Sequence, residues 1–249
     1  MFKTAKKDMT TKDLLGARAL LDLMTGAWED IAEAAIFNTM RILKAVNPGD
    51  AYYENYLDMK RRYPDFFDTY FLLWKIGATR PPKRILEIGT RTGISLCQLL
   101  SSMSREALDR IEKIVCVDPF DEWTSPGLVR ANLKHLNLNA VGLHGENTIR
   151  IETMKSEEYF AHADSEHKDQ FDYILVDGDH SKEAAKKDLD AAHELLEKGG
   201  LIIFDDISTA PGECALLDVW QAFKSEHEGE YAFNESLKGK GVGVGIKTA

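Results

Sequence analysis

The rhythm of apolar residues changes at Pro81-Pro82. Ahead of that pair the spacing is helical: Leu14, Leu15, Leu20, Leu21 and Met24 form one run, and Trp28, Ile31, Ala35 and Ile36 a second, with Gly26 as a stop between them. Asn47-Pro48-Gly49-Asp50 reads as a turn in which Asp50 caps the following helix. Aromatic residues crowd the stretch from Ala51 to Trp74, where Pro64 separates two helices. Packing between helices accounts for most of these rings better than a pocket lining does.

Beyond the prolines the pattern becomes strand, turn, helix. RILEIG, KIVCVD, AVGLHG, FDYILVDGDH and LIIFDD are predicted strands. Helices are expected at ISLCQLLSSM, within LVRANLKHL, at SKEAAKKDLDAAHELLE and at ECALLDVWQAFKSEH. In the third of these, Ala185, Leu189, Ala192 and Leu196 share one face, and Lys198-Gly199-Gly200 closes it. YAFNESL and GVGVGIK flank a Lys-Gly-Lys-Gly turn and must pair antiparallel. Unbroken apolar strands separated by helices imply a parallel sheet covered on both faces. The expectation is a doubly wound α/β sheet of seven strands, mostly parallel with an antiparallel C-terminal strand. Residues 1–80 would form a helical cap serving as a lid, a dimer surface or both, and residues 81–249 the sheet domain.

Composition narrows the picture. A chain of 249 residues, 44% hydrophobic and 29% charged, can bury a core without disulfides and is neither disordered nor fibrous. No window approaches the roughly 18 apolar residues of a membrane span. The start, MFKTAKKDMTTKD, has no apolar core of a secretory signal, so a cytoplasmic address is expected. A net charge of -10 repels polyanions and argues against nucleic acid as partner. Cys97, Cys116 and Cys214 match neither a zinc motif nor a disulfide framework and read as inert thiols.

Ligands of open α/β sheets bind at the carboxyl ends of the strands, where strand order reverses. The first strand delivers Glu87-Ile-Gly89-Thr90-Arg-Thr-Gly93 there. Gly89 allows a sharp turn and Gly93 a close approach of the next helix. The glycines are four apart and follow an acid, unlike a pyrophosphate fingerprint, and Glu87 suits a ligand that carries a cation. Asp118 ends the second strand, one βαβ step later, where a carboxylate can accept both hydroxyls of a ribose. With these residues in this order, the stretch from Lys83 to Lys247 resembles the class I S-adenosylmethionine-dependent methyltransferases, with their Rossmann-like sheet. The resemblance implies that Gly89, Thr90 and Gly93 border the methionine part of the cofactor. Glu87 would support the loop or the cofactor's ammonium. It places His144–Asn147 near the adenine, with Glu146 as the contact to the exocyclic amine, and Trp123 as a side chain that closes over the adenosine or merely packs a loop.

A second group of acids stands at neighbouring strand ends: Val176-Asp177-Gly178-Asp179-His180 and Phe204-Asp205-Asp206. A parallel sheet brings both ends to one edge, about 5 Å apart. Three carboxylates at such spacing repel unless a cation neutralises them, and hard oxygen ligands suit Mg²⁺, with Mn²⁺ or Ca²⁺ as alternatives. The competing reading makes Asp179 or Ser181 a helix cap and Asp205-Asp206 a solvated loop. The arrangement resembles the cation-dependent small-molecule O-methyltransferases of the catechol, caffeoyl-CoA and macrocin types. It implies that Asp177, Asp205 and Asp206 hold the ion and that Asp177 also borders the cofactor. His180 stands where the plant and animal enzymes of that group carry a base lysine, so that role does not transfer. Asp179 matches the candidate base of the macrocin-like branch. A metal-bound acceptor hydroxyl would lose its proton to His180 or Asp179; a histidine has the more suitable ordinary pKa, about 6.5. The expected activity is transfer of a methyl group to a small hydroxylated molecule. The alternatives are a metal-independent N- or protein methyltransferase and a non-catalytic cofactor-binding protein.

Overall fold

The computed structural model describes residues 36, 39–42, 61, 69–121, 124–136, 149–162, 170–208 and 215–249. Most of the expected helical cap therefore lies outside the described residues, as do Glu146, Trp123, Cys214 and the segment AVGLHG.

Seven strands form one sheet: β1 (Arg84–Ile88), β2 (Lys113–Val117), β3 (Ile149–Glu152), β4 (Phe171–Val176), β5 (Leu196–Asp205), β6 (Tyr231–Ser236) and β7 (Val242–Lys247). Their order is β3-β2-β1-β4-β5-β7-β6. The first five run parallel, and β7 lies between β5 and β6, antiparallel to both. Strands β1, β2 and β4 are buried almost throughout, which is why each reads as a continuous apolar run. Strand β3 is different. It sits at the sheet edge with no fully buried residue, and its alternating Ile149-Arg150-Ile151-Glu152 is the strand paired with β2.

Among the described residues, the helices with both ends defined are α1 (Thr69–Thr79), α2 (Ile94–Ser101), α3 (Arg105–Leu108), α4 (Pro126–His135), α5 (Ser156–His162), α6 (Lys182–Leu195) and α7 (Leu217–Glu226). Alternation along each strand divides the core in two. Ile85, Ile114, Tyr173 and Ile203 face α1 to α4, whereas Leu86, Val115, Ile174 and Phe204 face α6 and α7. Helix α1 belongs to the first of these cores, with Leu72, Leu73 and Ile76 fully buried. Its Gly77 packs so tightly on α2 that a Cβ there would stand 2.1 Å from the Leu99 carbonyl oxygen. Helix α6 ends at Leu195, and Lys198-Gly199-Gly200 already lies in β5, where the pairing with β4 shifts register between Phe171 and Tyr173.

The sequence GVGVGIK of β7 has a plain packing logic. Val242, Val244 and Ile246 point into the first core. The intervening glycines clear the other face for α7: a Cβ on Gly243 would lie 2.4 Å from the Trp220 ring. Trp220 in turn stacks with Phe204 and Phe223 and meets Phe233 edge-on.

Strand order reverses between β1 and β4. Their carboxyl ends frame the crevice in which open α/β sheets bind ligands.

Candidate active site

Two loops form the crevice floor. Gly89, at φ +84, turns the chain off β1 so tightly against β4 that a Cβ would lie 1.7 Å from the Asp177 carbonyl oxygen. No other residue fits there. Gly93, at φ +75, caps α2, and a Cβ there would lie 2.9 Å from Val129 Cγ1 of α4. Thr90 is buried and its hydroxyl donates to the Glu87 carbonyl at 3.4 Å. Asp118 ties the two loops together. Its Oδ2 accepts from the Arg91 amide at 2.8 Å and its Oδ1 from the Phe120 amide at 2.7 Å. Both amide donors sit in left-handed backbone, with φ of 49° and 50°. Each carboxylate oxygen keeps a further lone pair for a hydroxyl.

Glu87 lies beneath this loop, 2% exposed, and neither of its oxygens has an aligned hydrogen-bond partner among the described residues. Burial, and then the negative charge of Asp177, push its carboxyl up to about 8, although the nearby Thr90 and Ser95 hydroxyls oppose the shift. A buried acid with so little hydrogen bonding gains from an incoming cation. At the carboxyl end of β3 stand Glu152, Thr153 and Met154. Sequence reasoning did not single them out, because it set the third strand at AVGLHG.

The acidic cluster lies beside the crevice. The donor atoms of Asp177, His180 and Asp206 are within 4.8 Å of one another. His180 Nε2 stands 3.0 Å from Asp206 Oδ2 and 3.9 Å from Asp177 Oδ1. Asp205 is not in that triplet; its Oδ1 accepts from the Thr69 hydroxyl at the start of α1 at 2.7 Å. Successive side chains at a strand end point to opposite faces, and Asp206 joins the cluster through a left-handed backbone, φ 62°. Asp179 is exposed, and its Oδ1 accepts the Ser181 amide at 2.7 Å ahead of α6. That bond holds its carboxyl below the usual range.

One participant had not been foreseen. Lys240, in the turn between β6 and β7, places Nζ 2.9 Å from Asp206 Oδ1. The antiparallel register holds the signal that locates it, since Val242 pairs with Asp205 and the residues before it must stand beside those after β5. The charges sort accordingly. Burial raises Asp177, and burial followed by the Asp177 charge pushes Asp205 up to about 8. Burial works against ionised Asp206 too, but His180 and Lys240 outweigh it and hold that carboxyl below its ordinary value.

The cluster has the chemistry of a cation site. Asp206 is 1% exposed, and the His180 and Lys240 contacts, though at hydrogen-bonding distance, are not aligned as hydrogen bonds. Its lone pairs are thus open to a directed bond with an ion. Two carboxylates and an imidazole suit Mn²⁺ or another first-row ion, and the carboxylates alone suit Mg²⁺.

Residues 86–207 match a family model described as a methyltransferase domain. No curated protein sequence matches the chain. Among solved structures, an O-methyltransferase from Bacillus cereus in complex with SAH is 16% identical, covering 96% of this chain and 98% of that one, at a TM-score of 0.55. The O-methyltransferase TomG from Streptomyces achromogenes, involved in tomaymycin synthesis and solved in complex with SAM, is 14% identical over 100% of both chains, at a TM-score of 0.55. A methyltransferase from Geobacter sulfurreducens is 15% identical, covering 95% of this chain and 98% of that one, at a TM-score of 0.51. At these identities the likeness is one of fold.

Proposed function

Residues 86–207 match a methyltransferase domain, and from that premise we propose that this chain transfers the methyl group of S-adenosylmethionine to an oxygen of a small hydroxylated molecule at the Asp177–His180–Asp206 cluster. The observation that carries the reading is the His180 imidazole, 3.0 Å from the buried Asp206 carboxylate and beside the β1–β4 crevice. S-adenosylmethionine supplies an electrophilic methyl group on a positively charged sulfur. What the protein must add is a deprotonated acceptor oxygen, held in line with that methyl.

His180 takes the acceptor's proton. Asp206, 3.0 Å from Nε2, stabilises the imidazolium that forms. Asp179 is committed to the Ser181 amide and held at low basicity, so it serves the turn rather than the proton transfer. A divalent ion held by Asp177 and Asp206, within the field of Asp205, would lower the pKa of a hydroxyl bound to it. Glu87 faces the cationic end of the methyl donor, Gly89, Thr90 and Gly93 shape the loop around it, and Asp118 accepts from the ribose hydroxyls. The net charge of -10 disfavours a polyanionic acceptor such as nucleic acid.

The test is methyl transfer from labelled S-adenosylmethionine to a panel of phenols, catechols and sugars, read by mass spectrometry with chelator and with added Mg²⁺ or Mn²⁺. A methyl ether that fades in chelator and returns with the ion supports the reading. Methylation of nitrogen or protein at full rate in chelator contradicts it.

A further inference from the structure

Two basic side chains already reach the buried carboxylate of Asp206, one on each oxygen: Lys240 Nζ at 2.9 Å and His180 Nε2 at 3.0 Å. Lys240 is the one the mechanism above leaves without a task, and its backbone is fixed in place. The Ser208 amide donates to the Lys240 carbonyl at 2.7 Å, and the Ile207 amide to the Gly241 carbonyl at 3.3 Å. Gly241, at φ +78, could carry no side chain there, because a Cβ would lie 2.6 Å from the Ser208 nitrogen. The turn between β6 and β7 is thus locked over the end of β5, and it aims an ammonium group at the acids. The Lys240 charge acts on Asp177, Asp205 and Asp206 alike.

A divalent ion on Asp206 would sit about 2.1–2.5 Å from its carboxylate oxygens. An ammonium held against the same carboxylate would then face a dication across a few ångströms, a strongly repulsive arrangement in a buried site. We propose that Lys240 is a tethered cation that neutralises the cluster in the ion-free enzyme and competes with a divalent ion for Asp206, so that it sets the metal affinity of the site. This rests on the reading that the cluster takes such an ion. Arrival of the ion displaces the ammonium from Oδ1, and departure lets it return, so the three acids never face one another without a cation.

The probe is Mn²⁺, with binding followed by electron paramagnetic resonance of the free ion. It is titrated into the full chain as wild type, Lys240→Met, Lys240→Arg and Lys238→Met, and S-adenosylhomocysteine binding is measured by calorimetry on the same samples. Lys238 is an exposed lysine of the same turn and controls for general charge. The expected result is Mn²⁺ binding tightened tenfold or more in Lys240→Met, with Lys240→Arg and Lys238→Met close to wild type. Without ion, Lys240→Met should melt below wild type, and added Mn²⁺ should close the gap. Equal or weaker Mn²⁺ binding in Lys240→Met overturns the role of Lys240 while leaving the metal reading intact. No Mn²⁺ binding by any of the four proteins overturns both, and retained calorimetric heat would then show that the methyl-donor site stands apart from them.

Discussion

Among single residues, His180 and Asp179 are neighbours with opposite fates. His180 faces a buried carboxylate, whereas Asp179 spends its oxygen on the backbone ahead of α6. His180→Ala should lower kcat by about 10²- to 10⁴-fold, the usual worth of a positioned base, with cofactor binding retained. Asp179→Asn should keep kcat near wild type. Steady-state kinetics on any accepted hydroxylated substrate separates the two. Glu87 yields a second prediction. Its carboxyl, pushed up to about 8 by burial and by Asp177, is largely protonated at neutral pH in the empty protein. A cationic ligand favours the ionised form, so binding should release a proton. Calorimetric titration of S-adenosylmethionine at neutral pH, in buffers of different ionisation enthalpy, should show that release in wild type and lose it in Glu87→Gln. The sequence alone pointed to Asp177, Asp206 and His180, because strand ends and an acid cluster are legible as pattern. It could not say that Asp205 turns to Thr69, which depends on the local backbone of Asp206. Nor did it pick out Lys240, whose role appears only once the register of β7 against β5 is known.

The elements most legible in advance were the central strands. RILEI, KIVCV and FDYILV are buried on both faces, so hydrophobic run and strand coincide. The edge strand IRIE was not singled out, because it is half-exposed and alternates; the strand expected at AVGLHG lies outside the described residues. The last strand could be recognised from its valines, but the work of its glycines emerges only beside Trp220. Gly243→Val would drive a side chain into that ring, where a Cβ alone would approach to 2.4 Å. Overpacking of this kind costs about 1–3 kcal/mol, so urea unfolding should show a lowered midpoint. Gly127→Ala, in the first turn of α4 where an added Cβ would meet nothing closer than 3.7 Å, should leave the midpoint unlowered.

At the scale of the whole molecule, the two ends of the sheet do different work. The carboxyl end gathers Gly89, Asp118 and the acids, while the opposite end is held by a cluster in which His193 stacks on His227, with ring centroids 4.0 Å apart, and bonds Tyr231 Oη at 3.0 Å. Burial first, then the charges of His227 and Lys247, hold His193 below the ordinary histidine value of 6.5. The unfolded chain therefore takes up this proton before the folded one does. The stability tied to His193 is present above about pH 6.5 and is lost as pH falls below it. Scanning calorimetry from pH 8 to 5 should show a melting temperature that drops in wild type and drops less in His193→Gln.

The crevice itself rests on Asp118, which joins the β1 and β2 loops at the point where strand order reverses. Isothermal titration of S-adenosylhomocysteine into the wild-type chain and into Asp118→Asn addresses it most directly. Saturable one-to-one binding by wild type, weakened at least tenfold by the substitution, is expected. Absence of binding to the folded wild-type protein, or equal affinity in the two, would contradict it.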